Sequence, residues 1–342
     1  MKQTKLPPFP ALKAGLLLFL LILVVSVTAC SAAAPTAIPD VAANSSNSLP
    51  TDEKTETEVQ ADPSTIEFID YLDTAISIQA PVQRIVSLAP SVTEILFAIG
   101  AGPLVVGRTD YCNYPPEAEA LTSVGGFASN TISVETILDL EPDIVIGGST
   151  QQVEIINVLN EANVTAFVVQ PASIEEILET ILLFGKISGH TTQAQAVVDD
   201  MQTRIDKVTE TVSEIPDEDR VRVFYEVWHE PLMTTTHNTF IGEVIEMAGG
   251  NNIFGELDEQ YPVISAEQII ASDPQIIVGP SSHGDQLNAE IIAQREGWQA
   301  ISAVQNEAIY ILDGDIVSRP APRIIDALEA MTAVLYPDLY HE

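Results

Sequence analysis

Five side chains in short loops have the chemistry to hold a broad, partly apolar ligand. They are Tyr111 and Tyr114 in Asp-Tyr-Cys-Asn-Tyr-Pro-Pro, Phe127 after Gly125-Gly126, and the pair Trp228-His229 at the end of an apolar run. Aromatic faces stack on a wide ring system, and a few polar groups beside them fix its orientation. The competing structural reading is that the tyrosines order a proline-rich loop and Trp228 packs within its own domain. Bond-making chemistry is poorly represented. His229-Glu230 is followed by Pro231-Leu232 instead of the second histidine of a zinc helix, and neither a Gly-Lys-Ser/Thr phosphate loop nor a Gly-x-Ser-x-Gly elbow occurs. His190, His229, His237, His283 and His341 are scattered, which argues against a zinc or manganese site of converging ligands. Cys112 reads as a half-buried, inert thiol.

Two glutamates pose a different question. SVETILDLEPDIVIGG at 133–148 and SAEQIIASDPQIIVG at 265–279 match at a constant offset, 265 − 133 = 132. Each reads as a short helix followed by a buried strand. Ser133 and Ser265 stand as N-caps, with Gln268 completing a capping box. Glu135 and Glu267 then sit at the second helical position, where the helix dipole favours an acid by about 0.3 to 1 kcal/mol. A unit repeated so far along the chain predicts two similar lobes.

The elements that must position these residues alternate. Arg84 to Leu88 reads as a buried strand, and Ser91-Val92-Thr93-Glu94 has capping-box spacing for a helix that stops at Gly100 and Gly102. Strands at 104–106 and 164–169 flank the first copy of the repeat and a helix at 153–162, and a further helix starts at Ser173. Residues 66–80 suit an edge hairpin. One long helix, about Thr191 to Glu214, carries Ala194, Val197, Val198, Met201, Ile205 and Val208 on a single stripe. The same grammar then returns: a strand at 221–227, a helix at 240–248, the second copy of the repeat, a helix at 289–295, a strand at 309–312 and a last helix from Pro322. Such alternation predicts an α/β fold with parallel sheets covered on both faces, and ligands in such sheets bind beyond the carboxyl ends of the strands.

The N-terminus sets the compartment. Lys2, Lys5 and Lys13 precede the apolar run Ala14 to Val25, and Val27-Thr28-Ala29 leads into Cys30, the pattern of a lipoprotein signal rather than a membrane span. The expected organisation is a signal peptide at 1–29, lipidated Cys30 with a polar tether over 30–64, an N-terminal lobe at 65–189, an inter-lobe helix at 190–215 and a C-terminal lobe at 216–342. With Cys30 acylated, Cys112 has no disulfide partner. The 49 acidic residues against 14 basic ones give a formal charge of −35, which makes nucleic acid and anionic lipid surfaces poor partners. Only Arg108, Arg319 and Arg323 fall in loops placed to reach a cleft. A strongly anionic tris-catecholate complex would want more positive charge than that, whereas neutral hydroxamate complexes and haem stay open.

The stretches RIVSLAPSVTEILFAIGAG, VGRTDYCNYPPEA, VGGF, VETILDLEPDIVIGG, AGGNNIF and RPAPRI, in that order, resemble the cobalamin and iron-siderophore substrate-binding proteins of ABC importers, and their cobalamin-binding branch most closely. The resemblance covers roughly residues 83–336. It implies two Rossmann-like lobes with parallel sheets, joined by one long rigid helix and holding ligand in the cleft between them. It further implies a monomer without enzyme activity, metal or resident cofactor, anchored to the outer face of the cell membrane through lipid alone. Such a protein would capture cobalamin or a related corrinoid and deliver it to a permease homodimer with its ATPase subunits. By position, the resemblance assigns Tyr111, Phe127 and Trp228 to cleft segments and Arg319 to the matching C-terminal loop. It assigns Glu135 and Glu267 to docking against permease arginines. The alternatives are a ferric siderophore or haem as ligand, or a sensing or scaffolding lipoprotein uncoupled from any importer.

Overall fold

The computed structural model describes residues 64–281 and 288–340. The expected signal peptide, Cys30 and the tether up to residue 63 lie outside the described residues. The described chain opens on a hairpin of β1 (Thr65–Ile69) and β2 (Ala75–Gln79), which forms its own two-stranded sheet instead of extending a larger one. Alternation along β2 buries Ile76 and Ile78.

The first lobe follows with β3 (Ile85–Ser87), α1 (Pro90–Ala98), β4 (Val105–Arg108), β5 (Thr122–Ser123), α2 (Val134–Asp139), β6 (Ile144–Gly147), α3 (Val153–Glu161), β7 (Thr165–Val168) and α4 (Ile174–Ser188). Its strands pair in parallel in the order β5-β4-β3-β6-β7. Then comes the long helix α5 (Thr191–Val212). The second lobe contains β8 (Arg222–Tyr225), the short hairpin of β9 (Trp228–His229) and β10 (Leu232–Met233), α6 (Phe240–Met247), β11 (Asn251–Asn252), α7 (Ala266–Ser272), β12 (Ile276–Pro280), α8 (Ala289–Ala293), α9 (Ser302–Gln305), β13 (Ile309–Leu312), α10 (Gly314–Val317) and α11 (Ile324–Leu335). Its parallel sheet has the order β11-β8-β12-β13.

The internal repeat is structural. Helices α2 and α7 start 266 − 134 = 132 residues apart, and strands β6 and β12 start 276 − 144 = 132 apart. Glu141 (φ 44°) and Asp273 (φ 43°), also related by that offset, adopt the left-handed conformation that stops each helix before a proline. The side chains of Asp143 and Gln275 then accept the backbone N–H of Arg84 and Arg222, locking each turn to the first strand of its own lobe.

Both sheets are covered on two faces. One apolar cluster runs without interruption from Ile95 and Phe167 in the first lobe, through Met201, Ile205 and Val208 of α5, to Tyr225, Ile245 and Met331 in the second. Separate clusters fill the outer faces, one around Val86, Val145 and Ile156 and the other around Phe224, Ile277 and Trp298. The 22 residues of α5, about 33 Å at 1.5 Å per residue, lie against α4, α6 and α11. Its buried positions Ala194, Met201, Ile205, Val208 and Val212 keep helical spacing, and Arg204 on its outer side pairs with Asp326 (2.6 Å) and Glu329 (2.5 Å) of α11.

One local expectation fails. Helix α1 begins at Pro90 with Ala89 as its N-cap, so Ser91 caps nothing and Glu94 does not close a capping box. Proline at the first helical position sets the start because its ring already holds a helical φ and its missing N–H has no partner to lose. Glu94 is thereby turned inward, where it is 3% exposed.

Candidate ligand cleft

In each sheet the connections diverge to opposite sides of two neighbouring strands, β3 and β6 in the first lobe and β8 and β12 in the second. A crevice opens where strand order reverses in this way, at the carboxyl ends of the strands. A hollow of about 670 Å³ lies there, walled by Pro90, Tyr111, Phe127 and Gln151 of the first lobe and by Ser318 and Arg319 of the second. A second hollow of about 220 Å³ shares Phe127 and adds Gly148 with Thr239, Phe240 and Tyr261. Phe127 thus stands between two spaces that both lobes enclose. Tyr111 meets it edge to face at 6.4 Å and 89°, and is 59% exposed, so its ring is open to a ligand.

Three loops that shape these hollows are tied together by one buried side chain that sequence reasoning missed. The amide nitrogen of Gln152 donates to the carbonyls of Leu88 (2.6 Å) and Phe127 (3.0 Å), and its oxygen accepts the N–H of Gly148 (2.8 Å). Gln152 is fully buried, so all three bonds are shielded from water. Gly148 has to be glycine, since a Cβ there would stand 2.4 Å from Cβ of Ala89. At Gly125, φ is 113° and a Cβ would sit 2.2 Å from the carbonyl oxygen of Thr131, which explains the glycine pair ahead of Phe127.

The three arginines expected near the cleft have different fates. Arg108 spends its guanidinium on the carbonyls of Thr109 (2.9 Å), Ala118 (3.0 Å) and Glu119 (2.8 Å), bracing the loop that carries Tyr111 and Tyr114 and lining neither hollow. Arg319 does line the larger hollow. One of its terminal nitrogens donates to Glu94 Oε1 and Asn113 Oδ1, both at 2.8 Å, and the other pairs with Asp315 at 2.7 Å. Arg323 donates to both oxygens of Glu94, at 2.8 and 2.7 Å, and lies 3.8 Å over the ring of Tyr114. Glu94 therefore joins the lobes, with partners 225 and 229 residues away. An acid inside the apolar run Val92 to Leu96 was the available hint of a buried charge needing partners.

Trp228 lies in β9 and lines neither hollow; its indole N–H donates to the carbonyl of Glu230 at 2.9 Å and its ring tilts against His229. Tyr111, Phe127 and Arg319 are brought together, and Trp228 stands apart from them. Cys112 is buried, with its sulfur 3.2 Å from the hydroxyl of Thr109. Among the described residues no grouping of His, Cys, Asp and Glu side chains is suited to hold a metal ion, and no helix is long and apolar enough to cross a membrane.

Glu135 and Glu267 are exposed at the second position of α2 and α7, one on each lobe. Ser133 caps α2 by accepting the N–H of Thr136 (3.1 Å), and Ser265 and Gln268 form a reciprocal capping box on α7. The carboxyl of Glu267 is held below the ordinary glutamate value by its own backbone N–H first and by the Ser265 hydroxyl second.

Comparisons with known proteins agree with this architecture. The model of the periplasmic binding protein family matches residues 85–316. The chain is 33% identical over 264 residues to a vitamin B12-binding protein of Vibrio cholerae, covering 75% of this chain and 90% of that one. It is 29% identical over 296 residues to an uncharacterised ABC transporter substrate-binding lipoprotein of Bacillus subtilis, covering 85% and 91%. Among solved structures, the periplasmic vitamin B12-binding protein of Vibrio cholerae superposes with a TM-score of 0.64 at 30% identity, over 75% of this chain and 98% of that one. A periplasmic haem-binding protein of Pseudomonas aeruginosa gives 0.66 at 25% identity, over 75% and 94%. With two parallel-sheet lobes, a single long helix between them and a cleft at their strand ends, this chain belongs to the periplasmic binding protein family, as a substrate-binding protein of the ABC-transporter type.

Proposed function

We propose that the protein captures cobalamin or a related corrinoid outside the cell membrane and hands it to an ABC permease with its ATPase subunits. The observation that carries this reading is the inter-lobe cleft, walled by the exposed ring of Tyr111 and by Phe127, with one internally paired arginine as the charged side chain among the described residues that line its two hollows. A corrinoid has a broad ring for the aromatic walls and an amide rim for Gln151, Ser318 and backbone groups. The relatives named as vitamin B12-binding support the same choice. In this reading Trp228, in β9 outside both hollows, contacts the part of the ligand that overhangs the cleft. The protein acts by binding alone, without metal or cofactor of its own. Cys30 is the acylation site, so that replacing it with Ala abolishes incorporation of labelled fatty acid; undiminished labelling overturns the anchor.

The ligand is tested by titrating the purified protein with cyanocobalamin, haemin and ferrichrome in a calorimeter. Saturable one-site binding of cyanocobalamin, weakened by Tyr111→Ala, is the expected result. Saturation by haemin or ferrichrome with no heat from cyanocobalamin overturns the corrinoid assignment. Haem is the specific rival because a haem-binding protein shares this fold at 25% identity.

A further inference from the structure

We infer that Glu94 determines the ligand class of the cleft: by cancelling the charge of Arg319 it makes the pocket accept neutral ring ligands and discriminate against the same rings bearing carboxylates. This rests on the inter-lobe cleft being the ligand site proposed above. Among the described residues that line the two hollows, Arg319 is the only charged side chain. In a chain with 49 acidic residues, none of those among the described residues lines either of these two hollows.

The lone cation is not free to meet an anion. Its counter-charges are Glu94 and Asp315, and Asn113 completes its coordination while donating to Asp315 at 2.9 Å. Those two acids are unequal. The side chain of Asp315 is 40% exposed, so water screens it, whereas that of Glu94 is 2% exposed and acts through protein. Glu94 also pairs with Arg323, so Glu94 and Asp315 together balance the two guanidiniums and the cluster carries no net charge. A ligand carboxylate entering the cleft would lose its hydration shell and find the one guanidinium already satisfied. A ligand amide suffers far less from the same desolvation. Replacing Glu94 by Gln preserves size and part of the hydrogen bonding but leaves one uncompensated positive charge behind Arg319. That change favours the carboxylate form.

The test uses two matched pairs of probes: cyanocobalamin with its monocarboxylate, and haemin dimethyl ester with haemin. Dissociation constants are measured for the wild type and for Glu94→Gln, Glu94→Asp and Arg319→Met. The wild type should favour the uncharged member of a pair, and Glu94→Gln should shrink that preference by about tenfold or more. Glu94→Asp should retain it. Arg319→Met, which leaves the cluster with an excess acid, should move the ratio in the opposite direction; this variant decides the matter if Glu94→Gln does not fold. A ratio that stays the same in Glu94→Gln and Arg319→Met overturns the role of Glu94. Binding of the haem pair alone removes the corrinoid reading, and the ratios on that pair then judge Glu94. Failure of all four probes to bind overturns both.

Discussion

Glu243 of α6 finishes a helix that belongs to the other lobe. Its carboxylate accepts the N–H of Ile174, the first residue of α4, at 2.6 Å. Burial raises its pKa above the ordinary glutamate value, and Glu246, Glu176 and Glu175 nearby push in the same direction. With the folded pKa above the unfolded one, the ionised form is a cost to the folded state at neutral pH. As pH falls through the folded pKa the folded protein takes up the proton first, and stability attributable to this group rises. Glu243→Gln keeps the acceptor for Ile174 and removes the charge. The variant should therefore be more stable than wild type at neutral pH, with an advantage that shrinks on acidification through the raised pKa. Denaturant unfolding of both proteins across that range checks this, and an advantage that widens toward acid contradicts it.

The loops after β3 and β6 and the Gly125-Gly126-Phe127 turn have little regular structure of their own, yet they make the cleft. Their relative positions depend on the residue just before α3, because Gln152 binds a backbone group of each. Gln152→Leu preserves bulk and leaves two carbonyls and one N–H without that partner. Each unsatisfied buried group costs about 1 to 3 kcal/mol, partly relieved by rearrangement, so a net loss of about 2 to 4 kcal/mol is expected. The midpoint of urea unfolding should fall with an unchanged slope. Ligand affinity should fall as well, since Phe127 and Gly148 lose their common support. Full retention of affinity in the folded variant would show that the loops are held by other means.

Across the two lobes, three features resist relative movement: the apolar cluster that passes through α5, the Glu94 pairs with Arg319 and Arg323, and the bond from Ile174 to Glu243. A binding protein built this way presents its outer surfaces in a nearly constant relation. We propose that Glu135 and Glu267, exposed at matching positions of α2 and α7 in the two lobes, exploit that by docking against two identical subunits of a permease. The ordinary alternative is that each only complements its helix dipole, which would make Glu→Gln nearly neutral for transport. If they dock, the double change to Lys sets like charges against permease arginines. Complex formation with the cognate permease in membrane discs should then weaken by at least about tenfold, with corrinoid affinity unchanged. Equal permease affinity for wild type and the double Lys variant would leave only the dipole role.

The α/β class, the two-lobed organisation, the long helix and the caps at Ser133 and Ser265 were all legible in the amino-acid sequence. Each is written in short-range terms: a period of 3.6 or a buried apolar run, a cap three residues from its partner, or a unit repeated at a fixed offset. The same logic placed Tyr111 and Phe127 in loops beyond strand ends, where parallel sheets open. Side-chain pairing was another matter. Ser91 to Glu94 had the spacing of a capping box, but Pro90 began the helix and a glutamate with that local reading became an inter-lobe ion partner of Arg319 and Arg323. Arg108, expected at the cleft, went to three backbone carbonyls of its own loop, and the partners of Gln152 came from as far as 64 residues away. A buried charge or amide takes whichever complementary group the completed fold brings within about 3 Å, and no local pattern encodes that neighbour.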